Sequence, residues 1–189
     1  MRNSMVMQWD ELNILRDSAV DMIRNQKKKR DPEELDRWCE YMDFVLCLIY
    51  DYGWKDAEEI VGIVPFKDGL DDKAVNLDID GETFKDRIHK QVDEDSLEGV
   101  LRIIDTEAHR DYNAGIFDAA TQSKVPGIKK RFNTMLDNRV RDTHDYLEGM
   151  EVGLNDRFYT YDGDSARYPG DFSLASNNVN CRCWITLVR

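Results

Sequence analysis

The sequence predicts an α+β protein: a predominantly helical N-terminal part followed by a small α+β unit with a short β-sheet. Three observations predict it. Apolar residues recur at helical spacing through the first 62 residues and again up to about residue 120. After Pro126 and Gly127 the texture changes to short segments holding β-branched and aromatic residues. Two such segments are separated by a stretch bearing Gly, Asp, Ser and Pro across residues 153–179.

Each element follows from local pattern. Trp9, Leu12, Leu15, Ala19 and Ile23 predict an amphipathic helix over about residues 8–26, interrupted by the basic run Lys27 to Arg30. Asp31 suits an N-cap, Pro32 the first helical position and Glu34 a capping-box-like return. Leu35, Trp38, Cys39, Met42, Val45, Leu46 and Ile49 then carry a second helix to about Tyr52, with Gly53 closing it. That helix is apolar around much of its circumference, which predicts packing on several sides. A short third helix is expected from Trp54 to about Val61, ending near Gly62 and Pro65. Residues 63–81, with Asp68, Gly69, Asp71, Asp72, Asp78, Asp80 and Gly81, read as a solvated loop. No window there has the alternating ligands, sixth-position Gly and twelfth-position Glu of a calcium-binding EF-hand.

Helical period returns with Phe84, Ile88 and Val92. Asp95 and Glu98 are expected to cap a long helix from about Ser96 to Ala120, buried through Leu97, Val100, Leu101, Ile104, Ala108, Tyr112 and Ile116. Ile128–Leu136 and Cys181–Val188 read as strands, with a short helix around Asp142–Leu147 between them. The chain thus divides into a helical region over residues 1–62, a linker with a short helix over 63–95, and a compact unit over 96–189.

Composition narrows the function classes. With 41% hydrophobic and 34% charged residues among 189, the chain resembles a globular protein and not a disordered one. Its longest apolar run, Phe44 to Tyr50, is far short of the roughly 20 residues that span a bilayer, so no membrane partner is expected. Arg2 has no apolar stretch behind it, so no secretory signal is expected and the product should be intracellular. Cys39 and Cys47 fall in a helical apolar pattern and should be small buried hydrophobes; nothing suggests a disulfide framework. A net charge of −12 opposes nonspecific phosphate-backbone binding. Two basic islands stand against that balance. Lys27, Lys28, Lys29 and Arg30 form one, while Lys124, Lys129, Lys130, Arg131, Arg139 and Arg141 form the other. Lys129, Lys130 and Arg131 are the nucleic-acid candidates within the second.

The densest pattern lies in the last third. Asp137, Arg139, Arg141 and His144 occur as Asp-x-Arg-x-Arg-x-x-His, followed by Leu147, Gly149 and Met150. Then come Phe158, Pro169-Gly170 and the run Asn180-Cys181-Arg182-Cys183. Upstream, the long helix carries Asp105-Thr106-Glu107 and Asn113. This ordered set, over about residues 100–189, resembles the Mu F-like phage head-morphogenesis family, which includes minor capsid proteins found beside the portal. Thr106-Glu107 matches its Thr-Glu pair, Asp137, Arg139 and Arg141 its Asp-x-Arg-x-Arg, His144 its His, and residues 180–183 its Asn-Cys-Arg-Cys. Phe132 stands where such proteins usually carry Trp.

The resemblance implies a structural head protein without enzymatic activity or cofactor. It would be made in the host cytoplasm and placed in the virion, inside the procapsid at the portal vertex. Its implied partners are the phage portal protein and other head proteins, with packaged DNA as a further contact and ejection with DNA as a further step. Such domains are sometimes joined to toxin domains; a chain ending at Arg189, just after the last strand, is not expected to carry one.

The same residues support more than one chemistry. If residues 139–141 are extended, Arg139 and Arg141 point one way and Val140 inward, with Asp137 and Glu107 as carboxylate partners in a polar network. Cys181 and Cys183, two apart in a strand, share a face; with His144 they offer three ligands to a structural zinc, the fourth coming from Asp137, Asp142, Glu107 or His109. A thiolate, base and orienter drawn from Cys181 or Cys183, His144 and Asp142 is the catalytic alternative, with no feature marking either thiol as reactive. His89 and His109 read as exposed or hydrogen-bonded surface residues.

Overall fold

A computed structural model describes residues 10–65 and 81–189. The start of the first expected helix, with Trp9, and the Asp-rich stretch from Asp68 to Asp80 lie outside the described residues. Four long helices come first: α1 (Asp10–Lys28), α2 (Pro32–Val61), α3 (Phe84–Asp93) and α4 (Leu97–Ser123). They are followed by β1 (Lys129–Asn133), α5 (Asp142–Asp145), β2 (Glu151–Gly153), β3 (Phe158–Tyr159), β4 (Ser165–Ala166), α6 (Ala175–Asn178) and β5 (Trp184–Val188).

The helix starts are set by side chains. Asp31 accepts from Glu34 N at 3.1 Å, with Pro32 in the first turn of α2. Gln26 bridges the turn before it, donating to Asp31 O and accepting from Asp31 N, both at 2.9 Å. Thr83 and Asp86 form a reciprocal capping box on α3. At α4 the cap is Ser96, whose hydroxyl accepts from Gly99 N at 3.0 Å; Asp95 instead takes a left-handed conformation just before it.

The largest helix interface is between α2 and α4, and it explains a break that did not occur. Gly53 does not close a helix: α2 runs unbroken to Val61, absorbing the separate helix expected from Trp54. A Cβ at Gly53 would overlap the Tyr112 carbonyl, and one at Gly115 would overlap the Tyr50 carbonyl. The two glycines mark a crossing where the backbones touch, so their cost in helix propensity is offset by close approach. α1 packs on both helices through Leu12, Leu15 and Ala19, and Trp38 Nε1 donates to Ser18 Oγ at 3.0 Å. Among the described residues no helix is long and apolar enough to cross a membrane.

β1 is the centre of a three-stranded antiparallel sheet in the order β2-β1-β5. In its register with β5, Phe132 faces Ile185 and Lys130 faces Leu187, and these four side chains are buried. One core therefore runs from Leu12 through α2 and α4 to Ile185. β1 ends at Asn133, not Leu136; Leu136 has a positive φ and the chain turns away, with Val140 N bonding to Asp137 O at 3.1 Å. Cys39 is buried as expected, while Cys47 is only half-buried.

The stretch 153–179 is more ordered than its composition suggests. β3 and β4 form a hairpin. Buried Asp164 then organises the return, accepting from Ser165 N at 2.7 Å, Ser173 Oγ at 2.6 Å, Leu174 N at 2.9 Å and Asn177 Nδ2 at 3.1 Å. Burial opposes its charge, but these bonds outweigh burial and hold its pKa well below the carboxylate range.

Replacing Gly115 with Ala should lower stability by about 1–3 kcal/mol, because overpacking against a backbone carbonyl exceeds the gain of up to about 1 kcal/mol in helix propensity. Urea unfolding measures it. A midpoint at or above that of the unmodified chain would mean that α2 and α4 do not approach this closely.

Candidate functional site

The site is assembled where β5 begins. The strand begins at Trp184 and not at Cys181; just before it Cys181 and Cys183 are buried, while Arg182 between them is only half-buried. Both sulfurs reach the same atom: His144 Nδ1 lies 3.5 Å from Cys181 Sγ and 3.6 Å from Cys183 Sγ. All three residues are buried, and their ligand atoms lie within 4.8 Å of one another. The His144 ring is held by apolar neighbours, stacked on Phe172 at 5.0 Å and edge-on to Phe132 at 5.6 Å. The Cys183 thiol and the His144 ring hold the Cys181 thiol well below its ordinary pKa against burial, while Cys183 beside it is pushed up.

On the outer side, Arg182 grips Asp137 with two bonds, 2.9 and 2.7 Å. That guanidinium, helped by Arg139 N at 3.1 Å, draws Asp137 down to about 2. Arg139 and Arg141 are not an extended pair. Residues 137–140 form a turn, Arg139 is exposed with its guanidinium 3.6 Å from Asp137, and Arg141 donates to Val179 O at 2.6 Å. Asn180 adopts a left-handed conformation (φ 57°) and donates from its backbone N to Thr106 Oγ1 at 3.2 Å. Gly149 (φ 72°) makes the turn that returns the chain from α5 to β1, its N bonding to Phe132 O at 2.9 Å.

Glu107 does not join this group. It pairs with Arg87 at 2.8 Å and with Arg110, and it is 1% exposed. Helical geometry is the reason: Thr106 and Asn113 share a face of α4 turned to β5, whereas Glu107, Arg110 and Asp111 share another turned to α2 and α3. Asp111 is fully buried, and burial raises its pKa to about 8 against the pull of Arg110; Asp43, on α2, is raised by burial to about 6. Of the four proposed further zinc ligands, none places an atom within the His144–Cys181–Cys183 group among the described residues. Asp142 is exposed and so lies off the buried Cys–His group.

The basic candidates separate as strand alternation demands. Lys129 and Arg131 face outward, Arg131 pairing with Glu151. Lys130 is 0% exposed, donating to Leu154 O and Asp156 O at 2.6 Å each, with its ammonium over the Phe117 and Phe158 rings. Burial pushes it down to about 8, and it is lost to any surface patch. The first island is also engaged: Lys27 pairs with Asp95 at 2.7 Å and Arg30 with Asp93 at 3.5 Å. His89 is a hydrogen-bonded residue near the surface, 2.8 Å from Asp36. His109 is half-buried, and desolvation lowers its pKa.

Sequence reasoning missed what Asn113, Asp164 and Lys130 do. Alternation along β1 was the available signal for Lys130; the run Asp162-Gly163-Asp164-Ser165, which reads as a turn, gave none for Asp164.

Residues 73–186, the stretch that builds this arrangement, match the family described as Phage Mu protein F like protein. The chain belongs to that family. Its curated relatives include an NAD(+)--arginine ADP-ribosyltransferase EFV of Enterococcus faecalis, 39% identical over 92 residues, which are 48% of this chain and 19% of that protein. They also include the minor head protein GP7 of Bacillus phage SPP1, 31% identical over 103 residues, 54% of this chain and 33% of that protein. The chain thus spans a fifth to a third of the length of these curated relatives. No solved structure matches.

The buried carboxyl of Asp111 gives a pH signature. Its folded pKa of about 8 lies above the unfolded value of 3.8, so the folded state keeps a proton that the unfolded chain releases. That contribution is complete below pH about 4 and is lost as pH rises through about 8. Asp111→Asn should therefore gain stability relative to the unmodified chain as pH increases from 4 to 8. Urea midpoints that differ by the same amount at both ends of this window would rule out a neutral Asp111.

Proposed function

We propose that this Mu F-like chain is a minor structural protein of a phage head, acting at the portal vertex during head assembly and not as an enzyme. The carrying observation is that the family's ordered polar motif is spent on its own fold. Asp137 is satisfied by Arg182, Thr106 receives Asn180 N, and Glu107 is enclosed by Arg87 and Arg110. Groups paired in this way hold elements together and are not presented to a substrate. The alignment with a minor head protein supports the same reading. The match to the ADP-ribosyltransferase covers a fifth of that protein, and this proposal takes no activity from it.

Within the proposal, residues 1–62 supply partner surface, residues 63–95 connect, and residues 96–189 form the Mu F-like unit. Ile14, Tyr41 and Phe44 are large apolar side chains left exposed on α1 and α2, and these are the assigned contacts to portal protein or other head proteins. Deleting residues 1–62 would not test this, because α4 would lose α2, its main packing partner. The test is substitution at the surface. Co-expressed with the portal protein of the same phage, the chain should co-purify with it, and Ile14→Asp with Phe44→Asp should reduce recovery at least tenfold while leaving the thermal midpoint within a few degrees. Heads from the same phage should contain the chain in few copies. Undiminished co-purification, or heads lacking the chain, would overturn the assignment. Packaged DNA is not assigned as a partner, since Lys130 is buried and Arg131 is paired; duplex binding that weakens steeply with salt would restore it.

A further inference from the structure

We propose that His144 Nδ1, Cys181 Sγ and Cys183 Sγ are the protein ligands of a zinc ion, with one water as the fourth ligand, and that the ion fastens the last strand to the α5 segment. The argument is geometric. Tetrahedral zinc with Zn–S near 2.3 Å and Zn–N near 2.0–2.1 Å places nitrogen and sulfur about 3.6 Å apart. The two N···S separations are 3.5 and 3.6 Å, so a single point can satisfy both.

Hydrogen bonding alone accounts poorly for this convergence. An imidazole nitrogen offers one lone pair or one proton, so it can engage only one of two sulfurs in line. Here both sulfurs approach the same nitrogen, from two buried cysteines separated by one residue. A cation at the common focus engages all three atoms at once.

The fourth position has a place to be. A cavity of about 10 Å³ adjoins the three ligands, bordered by Met135, Val140, Arg141 and Asn180. That is roughly the space of one water. Coordination proceeds without a co-reactant: zinc displaces the thiol protons to solvent, the two thiolates neutralise its charge, and the imidazole binds through its Nδ1 lone pair. The ring proton then sits on Nε2, which has no hydrogen-bond partner among the described residues. Phe172 and Phe132 orient the ring in place of the usual outer hydrogen bond.

The experiment uses the full chain, expressed with zinc in the medium and purified under reductant without chelator. Elemental analysis should find about one zinc per chain, and chelation should lower the thermal midpoint by on the order of 10 °C. Cys181→Ser, Cys183→Ser and His144→Asn should each reduce bound zinc at least tenfold. Should those variants not fold, cobalt added to the unmodified reduced chain supplies an independent readout: thiolate-to-cobalt charge transfer with the intense visible bands of tetrahedral coordination. Reduced, folded chain with both thiols free that takes up neither metal overturns the proposal. So does zinc retained in the Cys181→Ser, Cys183→Ser double variant. Either failure would leave the head-protein reading untouched, since that reading does not depend on a metal.

Discussion

The fold depends on one buried amide. Asn113, 0% exposed in the middle of α4, accepts from Ile185 N at 2.9 Å and donates to Cys183 O at 3.2 Å and to His109 O at 2.8 Å. A side-chain amide with both ends engaged fixes position and direction together, and a buried amide left unpaired costs about 1–3 kcal/mol. β5 can therefore approach α4 in only one register. That register turns Cys181 and Cys183 toward His144, sends Arg182 outward to Asp137, and places Ile185 against Phe132. Each short motif of the last third acquires its geometry from this point.

The faces of α4 divide the labour between helices and sheet. Thr106 and Asn113 hold the closing strand, while Glu107, Arg110 and Asp111 sink charge among α2 and α3. Burying such a cluster is expensive unless it is nearly neutral and well paired. The pairing is there, since Arg87 and Arg110 both meet the carboxylate of Glu107, while burial raises the Asp111 carboxyl to about 8 against the pull of Arg110. Gly53 and Gly115 bring the backbones of α2 and α4 into contact, so α4 is enclosed on both sides.

What was legible in the sequence follows from how local each cause is. The helices α1, α2, α3 and α4 were legible because 3.6-residue periodicity and caps such as Asp31 are local signals. Gly53 misled because a glycine in a helix reads as a stop unless the partner backbone is known, and that partner, the Tyr112 carbonyl, lies far along the chain on α4. The convergence of His144 with Cys181 and Cys183 was legible from the two-residue spacing together with the family resemblance. The partners of Glu107 were not, since nothing in Asp105-Thr106-Glu107 says which residue faces the strand and which faces Arg87. Lys130 was misplaced because its charge was counted without its position in the pleat.

That pattern bears on what a Mu F-like motif is. Here the Asp-x-Arg-x-Arg turn and the Asn-Cys-Arg-Cys run are joined by Asp137–Arg182, by Arg141 reaching Val179 O, and by the two sulfurs meeting His144. These contacts tie residues 137–144 to residues 179–183, with α4 as the common support through Thr106 and Asn113.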